Sequence, residues 1–202
     1  VAPAVTDAMS SGIPIIAIDT GVSGADVTSF VATDNYAVAK VQGAIAATLV
    51  NDGDTVIYVT GNQAQSTGQE RRNGFMEAFS AARPGSKILE VPTEWNSQQA
   101  QEGVEAVLNS NSDVKMVVNA WDGGTMGAKA ALENLGYSAG DVKLVGFDGA
   151  SDAIAAMDEG WVHADTAQML YQMGYQGIKA AAAAARGETV SSRIDTGFFL
   201  VT

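Results

Sequence analysis

One pattern repeats along this chain: a group able to hold a ligand stands just past a short apolar run rich in β-branched residues. Asp19 follows residues 13–18 and Asp148 follows 143–147, and Gln168 follows 162–167, a less apolar stretch also read as a strand. Arg71 closes the polar loop that opens at Gly61 after residues 55–60. Trp95 lies in the Pro92-Thr93-Glu94-Trp95 segment after 88–91, and Trp121 lies beyond 114–118. If the runs are parallel strands, these side chains gather beyond their carboxyl ends, where open α/β sheets take their ligands. Two carboxylates, a guanidinium, an amide and two indoles suit a neutral polyhydroxyl molecule. Carboxylates accept from hydroxyl protons, Arg donates to hydroxyl and ring oxygens, and Gln does both. Indoles cover the C–H faces of a sugar ring or polyol chain. A phosphate would call for several cations and a glycine-rich N–H cradle, and this set contains one cation.

Each residue also has a plainer reading. An Asp after a strand is often the cap of the next helix. Arg71 beside Arg72 could be a solvated helix charge, Trp95 a packing lid and Trp121 a turn residue. Trp161 precedes the run 162–167 and so belongs to the opposite end of the sheet, where packing is its expected role. His163, the only histidine, falls on that strand away from the cleft. Three short motifs fail on context. Gly136-Tyr137-Ser138-Ala139-Gly140 matches a hydrolase elbow, but a helix precedes it and a strand follows, the reverse of what that turn needs. The glycines at 61 and 68 lack the lysine of a phosphate loop. Asp122-Gly123-Gly124 is too poor in carboxylates for a calcium loop. With no triad and no metal-ligand cluster, no catalytic residue, metal or cofactor is expected, and the chain reads as a binding protein rather than an enzyme.

The elements that would position these groups alternate. Ala-rich amphipathic stretches at 35–50, 69–82, 97–109, 125–135 and 171–186 separate the apolar runs, and glycines sit at the joints. Alternating β and α at this spacing predicts an α/β fold with parallel sheets flanked by helices. The 202 residues suffice for one ample domain or two small lobes. The net charge of −12 argues against nucleic acid as a partner, because an acidic surface repels phosphate backbones. Cysteine is absent, which excludes disulfides and thiolate metal sites. No apolar run approaches the ~20 residues that span a bilayer.

Five segments, in order, resemble the periplasmic ribose-binding protein family, which shares its core with lac-repressor-type regulators. They are Gly12-Ile13-Pro14-Ile15-Ile16-Ala17-Ile18-Asp19, Ala32-Thr33-Asp34-Asn35, Arg71-Arg72-Asn73-Gly74-Phe75, Val145-Gly146-Phe147-Asp148-Gly149 and Thr166-Ala167-Gln168. The resemblance implies a two-lobed type I periplasmic binding fold with a monosaccharide or polyol in the cleft. It places residues 1–33 and 169–195 in a partial first lobe, and 34–168 and 196–202 in the second. It implies ligand contacts at Asp19, Arg71, Trp95, Asp148 and Gln168, to which the strand-end reading adds Trp121. Thr20 stands where ribose binders carry Arg and Trp121 where they carry Asn, so the expected ligand is not ribose itself. The resemblance also implies a periplasmic or lipid-anchored receptor for the permease subunits of an ABC importer. A further N-terminal segment of the same protein is expected to complete the first lobe, leaving residues 13–18 as an apolar edge without it. The alternative is the effector-binding core of a lac-repressor-type regulator, which would carry a helix-turn-helix upstream; the acidic charge favours the receptor.

Overall fold

A computed structural model describes residues 1–202 as two sheets and seven helices. The larger sheet holds β3 (Thr55–Val59), β4 (Lys87–Val91), β5 (Val114–Asn119), β6 (Lys143–Asp148), β7 (Val162–Gln168) and β9 (Phe198–Val201), in the order β4-β3-β5-β6-β7-β9. Its first five strands are parallel, and β9 runs antiparallel to β7. Every residue of β3 is buried, which a strand achieves only when both faces of its sheet are covered. The cover comes from α2 (Asn35–Thr48), α3 (Ser66–Ala82), α4 (Ser97–Ser110) and α5 (Asp122–Asn134), with α6 (Ser151–Asp158) between β6 and β7. Tyr58, Phe75 and Phe79 stack in series within this core, with successive ring centroids 4.4 and 5.1 Å apart. Helices α2 and α3 approach closely because position 74 is glycine: a Cβ there would lie 2.3 Å from the Tyr36 carbonyl oxygen.

The smaller sheet has β1 (Ile16–Ile18), β2 (Ser29–Ala32) and β8 (Arg193–Asp195), all parallel, with β1 at one edge. Helices α1 (Ala2–Ser10) and α7 (Leu170–Ala185) accompany it. Its buried core is three residues, Val31, Met173 and Ala180, and Ile13 and Ile18 stay exposed. The chain passes between the two sheets three times: after β2, after β7 and after β8. The first and third passages are tied together. Asp195 Oδ1 accepts from the backbone N–H of Asp34 and of Gly197, and the Thr196 N–H donates to the Ala32 carbonyl.

Three boundaries differ from expectation for local reasons. The strand expected at 13–18 shortens to 16–18. Pro14 has no N–H to donate, and the Ile15 N–H goes to Thr28 Oγ1 instead of a neighbouring strand. The helix expected from 125 starts at Asp122, with Trp121 in extended backbone before it, despite the two glycines that follow. The helix expected from 69 starts at Ser66. The sequence reading had no counterpart for β2, α6, β8 or β9, and it did not anticipate the antiparallel edge.

Candidate functional site

All six residues singled out in the sequence line one cleft of about 340 Å³. Asp19 and Thr20 reach it from the loop after β1 in the smaller sheet; the others come from the larger sheet. The cleft therefore lies between the two sheets, beyond the carboxyl ends of their strands.

The floor is built around one oxygen. Asp148 Oδ1 accepts from Arg71 Nη1 at 2.9 Å and from Gln168 Nε2 at 2.7 Å. Asp148 ends β6, Gln168 ends β7, and Arg71 projects from the second turn of α3, so three elements well separated in sequence converge here. Arg71 is itself over-determined. Its Nε donates to Asn35 Oδ1 at 2.8 Å, and its Nη1 also donates to the Ala120 carbonyl at 2.6 Å. The guanidinium lies 3.8 Å from the centre of the Phe147 ring. Nη2 has no protein partner, yet it is not among the solvent-excluded unpaired atoms, so it opens into the cleft. Burial pushes the Asp148 carboxyl up, while the Arg71 charge and the Gln168 amide pull it back down. Both protein donors go to Oδ1, and the second oxygen accepts no hydrogen bond from the protein.

The wall is aromatic. Trp95 and Trp121 meet edge to face, with ring centroids 5.3 Å apart and planes at 89°. The Trp95 indole N–H donates to Gln65 Oε1 at 2.6 Å. Its ring occupies the space over Gly61, where a Cβ would lie 2.0 Å from it. Trp121 is 8% exposed and lies over Gly123 and Gly124. Asp19, Trp95 and Asp148 have φ of 70°, 60° and 120°, and they are the only non-glycine residues with positive φ.

The sequence reading missed Gln65 and Thr67 and noted Thr20 only as a departure from the ribose pattern; all three line the cleft. Thr67 Oγ1 donates to Thr20 Oγ1 at 3.3 Å, a contact between the two sides. Two residues under the floor were given no role by the sequence reading, which considered Asp122 only in a rejected calcium-loop motif and passed over Asp165. Asp122 and Asp165 are buried, and together they accept hydrogen bonds from the backbone of the Asp148 loop. Asp165 alone left a signal in the sequence, a carboxylate inside a run that reads as a strand. His163 and Trp161 stand at the opposite ends of the strands, away from the cleft, as their positions in the sequence suggested.

Comparison with known proteins follows the same geometry. The family model described as periplasmic binding protein domain matches residues 1–189. The ribose import binding protein of Escherichia coli K12 is 31% identical over 198 residues; the match covers 98% of this chain and 66% of that protein. An ABC transporter solute-binding protein from Mycobacterium smegmatis, solved with bound glycerol, superposes with a TM-score of 0.89 at 31% identity, covering 98% of this chain and 69% of the other. One from Agrobacterium vitis with bound D-fucose gives a TM-score of 0.90 at 26% identity, covering 99% and 70%.

Proposed function

The chain belongs to the periplasmic binding protein domain family, and from that premise we propose that it carries the cleft of a receptor that captures a monosaccharide or polyol for an ABC-type importer. The observation that carries the reading is the floor of the cleft: Arg71, Asp148 and Gln168 locked around one carboxylate oxygen, with an acceptor and a donor left open and an indole wall beside them. That is hydroxyl recognition, not catalysis. The two sheets act as two lobes, divided at 33–34, 168–169 and 195–196. The three chain passages form the hinge, and closing it brings Asp19 and Thr20 down onto the ligand. Delivery is to permease subunits from the extracytoplasmic side.

The ligand presents hydroxyls to Asp148, Arg71 and Asp19 and an apolar face to Trp95 and Trp121. Trp121 cannot pair a hydroxyl on its ring face, so a sugar with a C–H face, a deoxy carbon or a branched carbon at that place is preferred over ribose. A relative solved with D-fucose, a 6-deoxy sugar, is consistent with that preference.

A thermal-shift screen over aldopentoses, aldohexoses, 6-deoxyhexoses, tetritols and pentitols tests the reading. A ligand at one hundred times its Kd adds about 2.7 kcal/mol of stability. Replacing Asp148 by Asn should cost the selected ligand roughly 5- to 150-fold in affinity, the equivalent of about 1–3 kcal/mol for a mispaired polar group. A screen in which no compound stabilises the protein, or a hit whose affinity Asp148→Asn leaves unchanged, overturns it.

A further inference from the structure

Under the floor of the cleft, two carboxyl groups face each other with no cation between them. Asp122 opens α5 and is 2% exposed; Asp165 lies within β7 and is fully buried. They do not touch the cleft, and the sugar-binding reading assigns them nothing. We propose that Asp122 and Asp165 are positioning residues that share one proton, and that the singly protonated pair fixes the backbone of residues 147–150 and with it the direction of the Asp148 carboxylate. The proposal rests on the reading above only in taking Asp148 as a ligand contact.

The hydrogen bonds define the role. Asp122 Oδ1 accepts from the Phe147 N–H at 3.1 Å and from Thr125 Oγ1 at 3.3 Å, and its Oδ2 accepts from the Ala150 N–H at 2.7 Å. Asp165 Oδ1 accepts from the Gly149 N–H at 3.0 Å. Three of the four residues in this turn thus donate to the pair. The remaining one is Asp148, whose side chain turns the other way, toward the cleft, on backbone of positive φ. A carboxylate at the end of a strand would ordinarily find its direction from a flexible loop. Here the loop is clamped from below at three N–H groups.

The proton follows from what is left over. Asp165 Oδ2 is excluded from solvent and has no hydrogen-bond partner. Opposite it stands Asp122 Oδ1. Both oxygens converge on Gly146: a Cβ there would lie 2.3 Å from Asp165 Oδ2 and 2.6 Å from Asp122 Oδ1. Only a glycine leaves the two room to meet. The charges around them do not neutralise the pair. From α3, Arg71 faces it, but its Nη1 is committed to Asp148 and the Ala120 carbonyl. From β6, Asp148 adds a third carboxylate. Lys143 and His163 sit at the N-terminal ends of β6 and β7, away from the pair. Two buried carboxylates this close cannot both ionise, so one proton stays between them. Burial pushes both carboxyls up and Asp148 raises both; Asp165 pushes Asp122 up further, while the hydrogen bond between them pulls Asp165 down, as one shared proton requires.

The sign of the linkage is fixed by this arrangement. In the unfolded chain both groups ionise in the ordinary carboxylate range, so above that range the folded state holds one proton more than the unfolded state. Stability is then lost as pH rises toward the upper ionisation of the pair. Asp165→Asn supplies the proton's function permanently: its amide N–H donates to Asp122 Oδ1, and its carbonyl still accepts from Gly149. That variant should keep the fold and remove the pH dependence. Asp122→Asn should not substitute, because one half of its amide would point N–H at N–H.

A carbon-13 titration of the aspartate carboxyls in the ligand-free protein, from about pH 4 to pH 10, decides the matter. The expected result is one proton retained on the pair at neutral pH and released above it. The amide resonances of Phe147, Gly149 and Ala150 and the Asp148 carboxyl should move with the same midpoint. In Asp165→Asn that step should vanish, and the fall in melting temperature from about pH 6 to pH 9 should flatten. The proposal is overturned if Asp122 and Asp165 both ionise in the ordinary carboxylate range, if the three amides stay still while the pair titrates, or if Asp165→Asn keeps the wild-type profile. Should that variant fail to fold, the wild-type titration decides alone. None of these readouts uses a ligand, so a failed sugar screen and a failed proton assignment are separate results.

Discussion

Arg71→Ala is the sharpest test of how the floor is held. The substitution strands Asn35 Oδ1 and the Ala120 carbonyl, both buried, each of which loses its only side-chain donor. A buried acceptor left unpaired costs about 1–3 kcal/mol. Asp148 keeps Gln168 but loses its counter-charge, and breaking a buried ion pair from one side costs about 3–5 kcal/mol. Because the Asp148 side chain is 27% exposed, water recovers part of that penalty. The terms overlap, so their sum is not the expectation. A loss of about 3–4 kcal/mol is, and at the size of this chain each kcal/mol moves the melting point about 2–4 °C. Urea unfolding followed by tryptophan fluorescence should show a lower midpoint with an unchanged slope. Arg71→Lys keeps the charge but not the planar fork, so it should lose roughly half as much. In a double-mutant cycle with Asp148→Asn, the coupling should exceed about 1 kcal/mol. Arg71→Ala within about 0.5 kcal/mol of wild type, or a cycle that is simply additive, would refute the idea that the guanidinium organises the floor.

Three other perturbations read different parts of the same cleft. Trp121→Ala removes a nearly buried indole from its edge-to-face contact with Trp95 and should cost about 3–5 kcal/mol by urea unfolding; a loss under about 1 kcal/mol would mean the ring is not packed. Gly61→Ala puts a methyl 2.0 Å from the Trp95 ring, so the indole must swing out and release Gln65, with a red-shifted emission; an unchanged spectrum contradicts that geometry. Burial, and then Lys143, lower the His163 pKa, so the unfolded chain takes up the proton first and stability should fall as pH drops below about 6.5; His163→Gln should flatten that limb, and an unaltered acid profile counts against it.

Much of the large sheet was legible because its strands are buried on both faces. Residues 55–59, 114–118 and 143–147 are nearly continuous apolar runs, and such a run has one reading when glycines and Ala-rich helices bracket it. The cleft residues were legible for a related reason: strand ends are visible wherever an apolar run stops at Asp or Gln. In the smaller sheet only the run at 13–18, which holds β1, was legible. β2 and β8 are four and three residues long, β8 reads Arg-Ile-Asp, and their pairing with each other spans most of the chain, so no local period marks them. Gln65 and Thr67 escaped because nothing in a polar loop says which side chains turn inward. The helical start at Asp122 escaped because Gly123 and Gly124 weigh against helix. There the two glycines serve packing, leaving room for the Trp121 ring. Asp165, which the sequence reading passed over, is a carboxylate in the middle of a buried strand, and a local rule broken in this way marks where fold and site compete.

The same competition is written in the backbone. Asp19, Trp95 and Asp148 adopt positive φ, and every one of them lines the cleft. For a side-chain-bearing residue that region costs on the order of 1–2 kcal/mol, less for Asp than for a bulky ring. A fold selected for stability alone would put glycine there, as it does at Gly149 beside Asp148. Asp19 isolates the effect best, because it is exposed and its only side-chain bond is with its neighbour Thr20. Asp19→Gly relieves the backbone and adds unfolded-chain entropy of about 0.5–1 kcal/mol, so the two nearly cancel and stability should stay within about 1 kcal/mol of wild type. Ligand affinity should fall by about 1–3 kcal/mol, because one hydroxyl acceptor is gone. Calorimetric unfolding and ligand titration on the same preparation measure both. A stability loss beyond about 1.5 kcal/mol with affinity retained would make Asp19 a structural turn residue and remove it from the site.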